Sequence, residues 1–362
     1  MVTPVFYPSL GGMEKFIENL SLNLKERGHD VSIAVFNKTA NLPKRALVSG
    51  IPVVNYPCKG LTIFPLCLAS LSEWKDVDII HLHDHRFGFI SLNILLRLPG
   101  IPIVATTHGT FFHTKKNLFL KKLYMRFIAS LVGKRMTSII ACSASDKKIV
   151  DGWGIESLLI EDGVDSEAFS EANILRKKAP NFLYWGRISK NKRVDRLLEA
   201  FNKIFIVLPE AKLTIVGADI EELRDSYETS LVNRGLQDKI RFLGPLPKED
   251  LMREIRAHNY YVSATEYEGF GMSVVEAMAS GLIPIVQSIP PFQNIIQHGI
   301  NGFLIDYDEP AQVAKQIAEI ISMDEDSYQS RVKNATVRAR DYSWNIKVCE
   351  YEAVYNKALV RS

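Results

Sequence analysis

Short β-branched, apolar runs alternate with helix-patterned stretches along the whole chain, and the pattern occurs twice. In the first half the runs are "DVSIAVF", "VDIIHLH", "IPIVATTH" and "TSIIACSA", separated by stretches such as "MEKFIENLSLNLKERG". The second half repeats the scheme with "NFLYWG", "AKLTIVG", "KIRFLG", "NYYVSA" and "LIPIVQ". Strands that are apolar on both faces and spaced by helices belong in parallel sheets covered on each side. At 362 residues the chain exceeds what one ordinary core holds. The expected fold is α/β, with two Rossmann-like, doubly wound parallel-sheet domains facing a cleft.

A boundary is expected near 168–180, where "AFSEANILRKKAPN" loses its apolar period and turns polar. That gives domains 1–172 and 173–344, with a final helix over 345–362 packing back on the first. Apolar residues make up 47% of the chain and charged ones 23%, the balance of a globular protein. A net charge of +3 is too small to point to nucleic acid. Cys58, Cys67, Cys142 and Cys349 show no C-x-x-C spacing and read as buried free thiols in a reducing cytoplasm. No run reaches the ~18 apolar residues of a spanning helix. The longest candidate, "FGFISLNILLRLPGIPIVA", is interrupted by Arg97 and Pro99, and no signal peptide is expected ahead of the first structured residues. Membrane contact is therefore expected to be peripheral.

Ligands of doubly wound sheets sit beyond the carboxyl ends of the strands, and four post-strand stretches carry chemistry. In "YPSLGGME", Gly11 and Gly12 precede a helix. Glycines admit a diphosphate close to the backbone, and the helix N-terminus offers partial positive charge and N–H groups; a tight turn is the commoner use of such a pair. In "YWGRISKNKR", Arg187 and Lys192 lie in a loop opening the helix "RVDRLLEAF". They can clamp a diphosphate and stabilise it as a leaving group. Solvated basic residues are the alternative, which the helix dipole disfavours at that end.

The third stretch, "SATEYEGFGMSVVEAMASG", brackets Gly269 and Gly271 between Glu268 and Glu276. The N–H groups of Phe270, Gly271 and Met272 suit sugar hydroxyls or phosphate oxygens. A carboxylate accepts two hydrogen bonds from a vicinal diol, so Glu276 suits a ribose and Glu268 a sugar hydroxyl. The alternative is a helix N-terminal charge followed by an exposed glutamate. The fourth is His108 in "ATTHGTFFH", where a structural histidine is the commoner case.

On "EGFGMSVVE", "GRISKNK" and "YPSLGGME" the sequence resembles the retaining glycosyltransferases of family 4, of GT-B fold, over almost its whole length. The resemblance makes 1–172 the acceptor side and 173–344 the nucleotide-sugar-binding domain. It implies Gly12 on the donor diphosphate, with Gly11 beside it, and Arg187 with Lys192 on the phosphates. Glu268 and His108 fall to the donor sugar, Glu276 to the ribose, and Phe242, Leu243 and Pro245 to the border of the nucleobase. It further implies retention of anomeric configuration without metal or cofactor, the nucleotide sugar being a co-substrate. "THGTFFHTKK", "ACSASD" and "SATEYEGFG" look like the mannosyltransferases that extend cellobiosyl-diphosphopolyprenol in exopolysaccharide synthesis, which implies GDP-mannose as donor. A UDP-sugar donor on another acceptor is the nearest alternative. An epimerase or phosphorylase on this fold, or a non-catalytic sugar-nucleotide-binding protein, also competes, without its own signature in the chain.

The stretch "FFHTKKNLFLKKLYMRFIASLVGKRM" carries Lys115, Lys116, Lys121, Lys122, Arg126, Lys134 and Arg135 with no acidic residue, interleaved with Phe111, Phe112, Phe119, Tyr124 and Phe127. Such a segment reads either as a surface lying on anionic lipid or as an ordinary helix with its lysines in water. The first reading places 111–135 on the cytoplasmic leaflet, next to a lipid-linked acceptor. The D-x-D string Asp76–Asp78 precedes a strand, at the wrong edge for a ligand. His81, His83, Asp84 and His85 read as strand packing plus a polar loop instead of a metal site, with Asp84, His85 and Arg86 able to touch the acceptor. Two departures from the family stand out. The first strand in "MVTPVFYP" is either truncated or short, and Gln293 and Asn294 in "SIPPFQNIIQHG" replace a frequent charge.

Overall fold

The computed structural model describes all residues except 8–10, 38–42, 62–63, 67–73, 75, 84–99, 109–129, 171–178 and 362. Cys67, Asp84, His85, Arg86 and the basic aromatic stretch up to residue 129 therefore lie outside the described residues. The chain divides into two compact units, Met1–Gly163 with Trp344–Ser362, and Val164–Ser343. Residues 164–170 join the second unit through long-range ties that composition does not reveal. The Val164 N–H donates to Tyr342 O at 2.7 Å, and the helix Ser166–Ser170 packs against the helices Met272–Ala279 and Glu325–Arg340.

Unit 1 contains strands β1 (Val2–Thr3), β2 (Ile33–Asn37), β3 (Arg45–Val48), β4 (Ile51–Pro57), β5 (Lys59–Leu61), β6 (Phe64–Leu66), β7 (Ile80–Leu82), β8 (Ile103–Thr106), β9 (Ser138–Ala141) and β10 (Leu158–Leu159). Among the described residues, eight of these form one sheet in the order β10-β9-β8-β7-β1-β2-β4-β3. Every pairing in it is parallel except β3 with β4. That hairpin turns through Ser49 (φ 50°) and Gly50 (φ 75°), the two left-handed positions that match strand twist in a two-residue loop. The apolar stripe Phe16, Ile17, Leu20 and Leu24 of α1 (Gly12–Glu26) follows the helical repeat. Facing it, the last helix, Trp344–Arg361, buries Trp344, Val348, Tyr351, Val354 and Ala358 in the same core. Each large side chain so buried contributes about 1.5–3 kcal/mol, so this helix is a structural part of unit 1. Cys349, between the inward Val348 and Tyr351, is exposed, so the expectation that all four thiols are buried fails there.

Unit 2 is a six-stranded, all-parallel sheet of β11 (Asn181–Trp185), β12 (Lys212–Val216), β13 (Ile240–Gly244), β14 (Tyr260–Ser263), β15 (Ile283–Gln287) and β16 (Phe303–Ile305). Its order, β13-β12-β11-β14-β15-β16, is the doubly wound Rossmann order. The direction of winding reverses between β11 and β14, and the crevice at their carboxyl ends is where such a sheet takes a ligand. β14 and β15 are buried along their whole length, the signature of a strand covered on both faces. Beyond β11 and β12 the backbone passes so close that a Cβ on Gly217 (φ 148°) collides with Gly186 O, so only glycine fits there.

Candidate active site

In unit 2 two loops meet at the β11–β14 switch point. The loop after β11 runs through a single helical turn, Lys190–Lys192, to the helix Val194–Val207, and the loop after β14 leads to the helix Met272–Ala279. Backbone bonds stitch them together: the Glu266 N–H donates to Asn191 O at 2.9 Å, and Thr265 Oγ1 donates to the same carbonyl at 3.1 Å. The Tyr184 hydroxyl donates to Arg187 O at 2.9 Å and fixes the start of the first loop. This stitching brings Lys192 Nζ onto Glu268 Oε1 as a close ion pair, both side chains less than one-fifth exposed.

Arg193, between Lys192 and the helix, has φ 49° and sends its guanidinium to Asp195 and Glu266. Arg187 is exposed and in no ion pair with the described residues. Arg193 is thus committed to carboxylates of its own loops, while Arg187 remains available to an anion.

The helix Met272–Ala279 begins at Gly271 (φ 110°), with no side-chain cap and no acid in its first turn. A Cβ on Gly271 meets Phe292 Cε1 at 2.6 Å, so close packing as well as the turn calls for glycine. No described group accepts from the N–H groups of Phe270, Gly271 or Met272, and they form an anion-attracting rim. The Phe270 side chain is turned into the core against Tyr342, so its backbone alone faces outward. One turn in, half-buried Glu276 accepts a 3.1 Å bond from Trp185 Nε1. Below it the Tyr261 hydroxyl bonds Ser273 Oγ at 2.8 Å, and burial pushes that phenol up from its ordinary pKa.

Phe242 lies inside the core, stacked on Tyr227 and under the Arg224 guanidinium. By strand alternation Leu243 turns to the opposite face of β13, partly buried against the second core cluster of unit 2, and Pro245 beyond the strand is exposed. Gln293 and Asn294 are exposed. Gln293 donates to Ser288 Oγ, and the Asn294 carbonyl accepts from Arg338.

In unit 1 the winding reverses between β1 and β7. Gly11 caps α1, and the Glu14 carboxylate folds back over the face of Gly11 that a Cβ would occupy. Gly12 has open space around it. His108, just after β8, is half-buried with φ 50°, a left-handed conformation that a non-glycine residue keeps only where its surroundings impose it. Its Nε2 lies 2.9 Å from His83 Nδ1 and its ring packs edge-on against Phe16. Fully buried His81 bonds Tyr355 and Thr106, and burial holds both His81 and His83 well below the usual histidine pKa. Among the described residues no group of three His, Cys, Asp or Glu is clustered as a metal site. Asp76 and Asp78 are exposed ahead of β7. The structure thus places Lys192, Glu268, Glu276 and the Phe270–Met272 amides on one sheet edge of unit 2. Trp185, Asn191, Arg193 and His83 are site-forming residues that sequence reasoning did not assign.

Residues 165–338 match the family model described as "Glycosyl transferases group 1", and residues 10–168 match "Glycosyltransferase Family 4". A GDP-mannose:cellobiosyl-diphosphopolyprenol alpha-mannosyltransferase of Komagataeibacter xylinus is 28% identical over 99% of this chain and 92% of its own length. A phosphatidyl-myo-inositol mannosyltransferase of Mycobacterium tuberculosis is 27% identical over 98% of this chain and 95% of its own. The solved structure of a glycosyltransferase from Rickettsia africae ESF-5 superposes with a TM-score of 0.79 at 20% identity, covering 100% of this chain and 98% of that one.

Proposed function

The chain belongs to the glycosyltransferases that those two family models describe, a hexosyltransferase of GT-B fold, and on that premise we propose that it moves mannose from GDP-mannose to a lipid-linked saccharide with retention of configuration. The observation that carries the reading is the Lys192–Glu268 pair at the switch point of unit 2, beside the unpaired amides of Phe270–Met272. The amides and Lys192 take the diphosphate, with Arg187 closing on it. Glu268 and His108 hold the sugar, and Glu276, oriented by Trp185, holds the ribose. Gly12 offers a further amide, and the Leu243–Pro245 backbone borders the base.

In this reading an acceptor hydroxyl attacks the anomeric carbon on the face from which the nucleotide departs. The new C–O bond forms as the bond to the β-phosphate oxygen breaks, and the acceptor proton passes to that phosphate. Charge then develops on the departing diphosphate, and Lys192 and Arg187 stabilise it where it grows. With those cations supplied, the reaction is proposed to need neither metal nor cofactor. The donor base, mannose and the lipid-linked acceptor are carried over from the two mannosyltransferase relatives.

No helix among the described residues is long and apolar enough to cross a membrane. The basic segment 111–135 is proposed to meet the anionic leaflet that carries the acceptor. Incubation of the protein with radiolabelled GDP-mannose, UDP-glucose or UDP-N-acetylglucosamine and polyprenyl-diphosphate-linked saccharide, with and without EDTA, tests the whole reading. Label is expected to enter lipid from GDP-mannose alone, unaffected by chelation. Transfer from a UDP-sugar only, or transfer abolished by EDTA, contradicts it.

A further inference from the structure

The glycosyl-transfer reading gives no task to the buried titratable His83. It follows β7, and its backbone is pinned by a 2.7 Å bond from its N–H to Val2 O in β1. Its ring is completely buried between His81, whose ring centre lies at 4.0 Å, and Phe16. Nδ1 lies 2.9 Å from His108 Nε2, whereas Nε2 faces Met1 Sδ at 3.4 Å. A neutral imidazole has one N–H and one lone pair. A thioether carries no proton to give, so a lone pair on Nε2 has no donor there, while an N–H finds a weak acceptor in the sulfur. His83 therefore carries its proton on Nε2 and offers Nδ1 as an acceptor.

We infer that His83 is a positioning residue for His108: it accepts from His108 Nε2–H, which leaves the lone pair of the His108 ring on Nδ1. The hydrogen bond at one nitrogen of a histidine sets what the other can do, so His83 selects the tautomer with which His108 meets a donor hydroxyl. The residue before His108 supplies the matching backbone restraint. Thr107 donates through Oγ1 to Asp146 Oδ2 at 2.6 Å and through its N–H to Ile140 O at 3.1 Å, with Asp146 held in turn by the Ser143 cap. Backbone and ring of His108 are thus fixed from opposite ends, which accounts for a left-handed conformation in a residue with a side chain.

The inference rests on the assignment of His108 to the donor sugar, and the test separates the two. Long-range 1H–15N correlation of histidine rings in the full chain, with His108 assigned by its absence in His108→Gln, reads the tautomer directly. The expected pattern is an Nε2-protonated His108 in the wild type. In His83→Phe, which keeps a buried ring but removes the acceptor, the fixed tautomer is lost and kcat falls about tenfold with donor KM roughly unchanged. His83→Asn places an amide oxygen near the former Nδ1 and restores both. An Nδ1-protonated His108 in the wild type overturns the inference whatever the variants do, as does an unaltered tautomer in His83→Phe. A tautomer that changes in His83→Phe while transfer stays normal upholds the positioning role and removes His108 from the reaction.

Discussion

Unit 2 builds its candidate site from loops that touch, unit 1 from histidines clustered near the ends of strands. In unit 2 the charges sit beyond the carboxyl ends of β11 and β14, where Lys192 and Glu268 neutralise each other. In unit 1 ionisable groups enter the interior: His81, His83, Asp146 and Lys347 are all buried, and the Asp162 Oδ1 is sealed without a partner. A paired charge at a loop edge is ready to be exchanged for a ligand's charge. A buried imidazole is kept neutral and instead orients a neighbour. The two Rossmann-like units are thus proposed to contribute different chemistry, anion binding from one and fixed hydrogen-bond geometry from the other.

The most severe way to break the contrast is to remove either member of the unit 2 pair. Lys192→Ala or Glu268→Ala is expected to lower transfer by about 10²–10³-fold, with circular dichroism unchanged; near-normal turnover in either removes the assignment. A second test exchanges glycines between the units. Gly217→Ala forces a side chain onto Gly186 O and is expected to destabilise unit 2 by about 3 kcal/mol. Gly12→Ala, in open space at a helix start, is expected to cost less than about 0.5 kcal/mol in thermal or urea unfolding.

The third turns on pH. Burial and the neighbouring Asp146 and Glu161 raise the Asp162 carboxyl to about 7, with Lys347 opposing. Its folded pKa lies above its unfolded one, so the folded state holds its proton longer. This group therefore takes stability away as pH rises from about 4 to 7, and nothing further changes above that. Asp162→Asn should remove the loss, making the variant about 4 kcal/mol more stable than wild type at pH 8 and equal to it near pH 3.5. His81 and His83, with lowered pKa values, act in the opposite sense and destabilise unit 1 as pH falls below about 6.5. The smallest effect concerns thiols. In the native protein Cys349 should react with a maleimide while Cys58 and Cys142 stay protected, Cys142 also because burial raises its thiol pKa.

Five of the six strands of unit 2 were legible because they are short, mostly apolar runs, and the five quoted runs are β11 to β15; β16, only three residues long, was not read. The β3–β4 hairpin escaped notice because its turn is Ser49–Gly50, and only its backbone angles mark it as left-handed at both positions. The glutamate stretch and the Arg187–Lys192 loop could be read locally. Their contact could not, since Lys192 and Glu268 are 76 positions apart and meet only because β11 pairs with β14 across the reversal of winding. The same holds for His83 and His108, joined by the β7–β8 pairing. Phe242 was assigned to the nucleobase by motif, although its parity on β13 turns it into the core. Cys349 could have been seen as exposed from its phase between Val348 and Tyr351 on a helix.

The central claim is that a nucleoside diphosphate binds unit 2 at the start of the helix Met272–Ala279. Amide NMR of the full chain, titrated with GDP, tests it directly. The largest shifts are expected at the N–H groups of Phe270, Gly271 and Met272, and they should be strongly reduced in Lys192→Ala. Saturable GDP binding that leaves these amides unmoved, and is indifferent to Lys192, would contradict it.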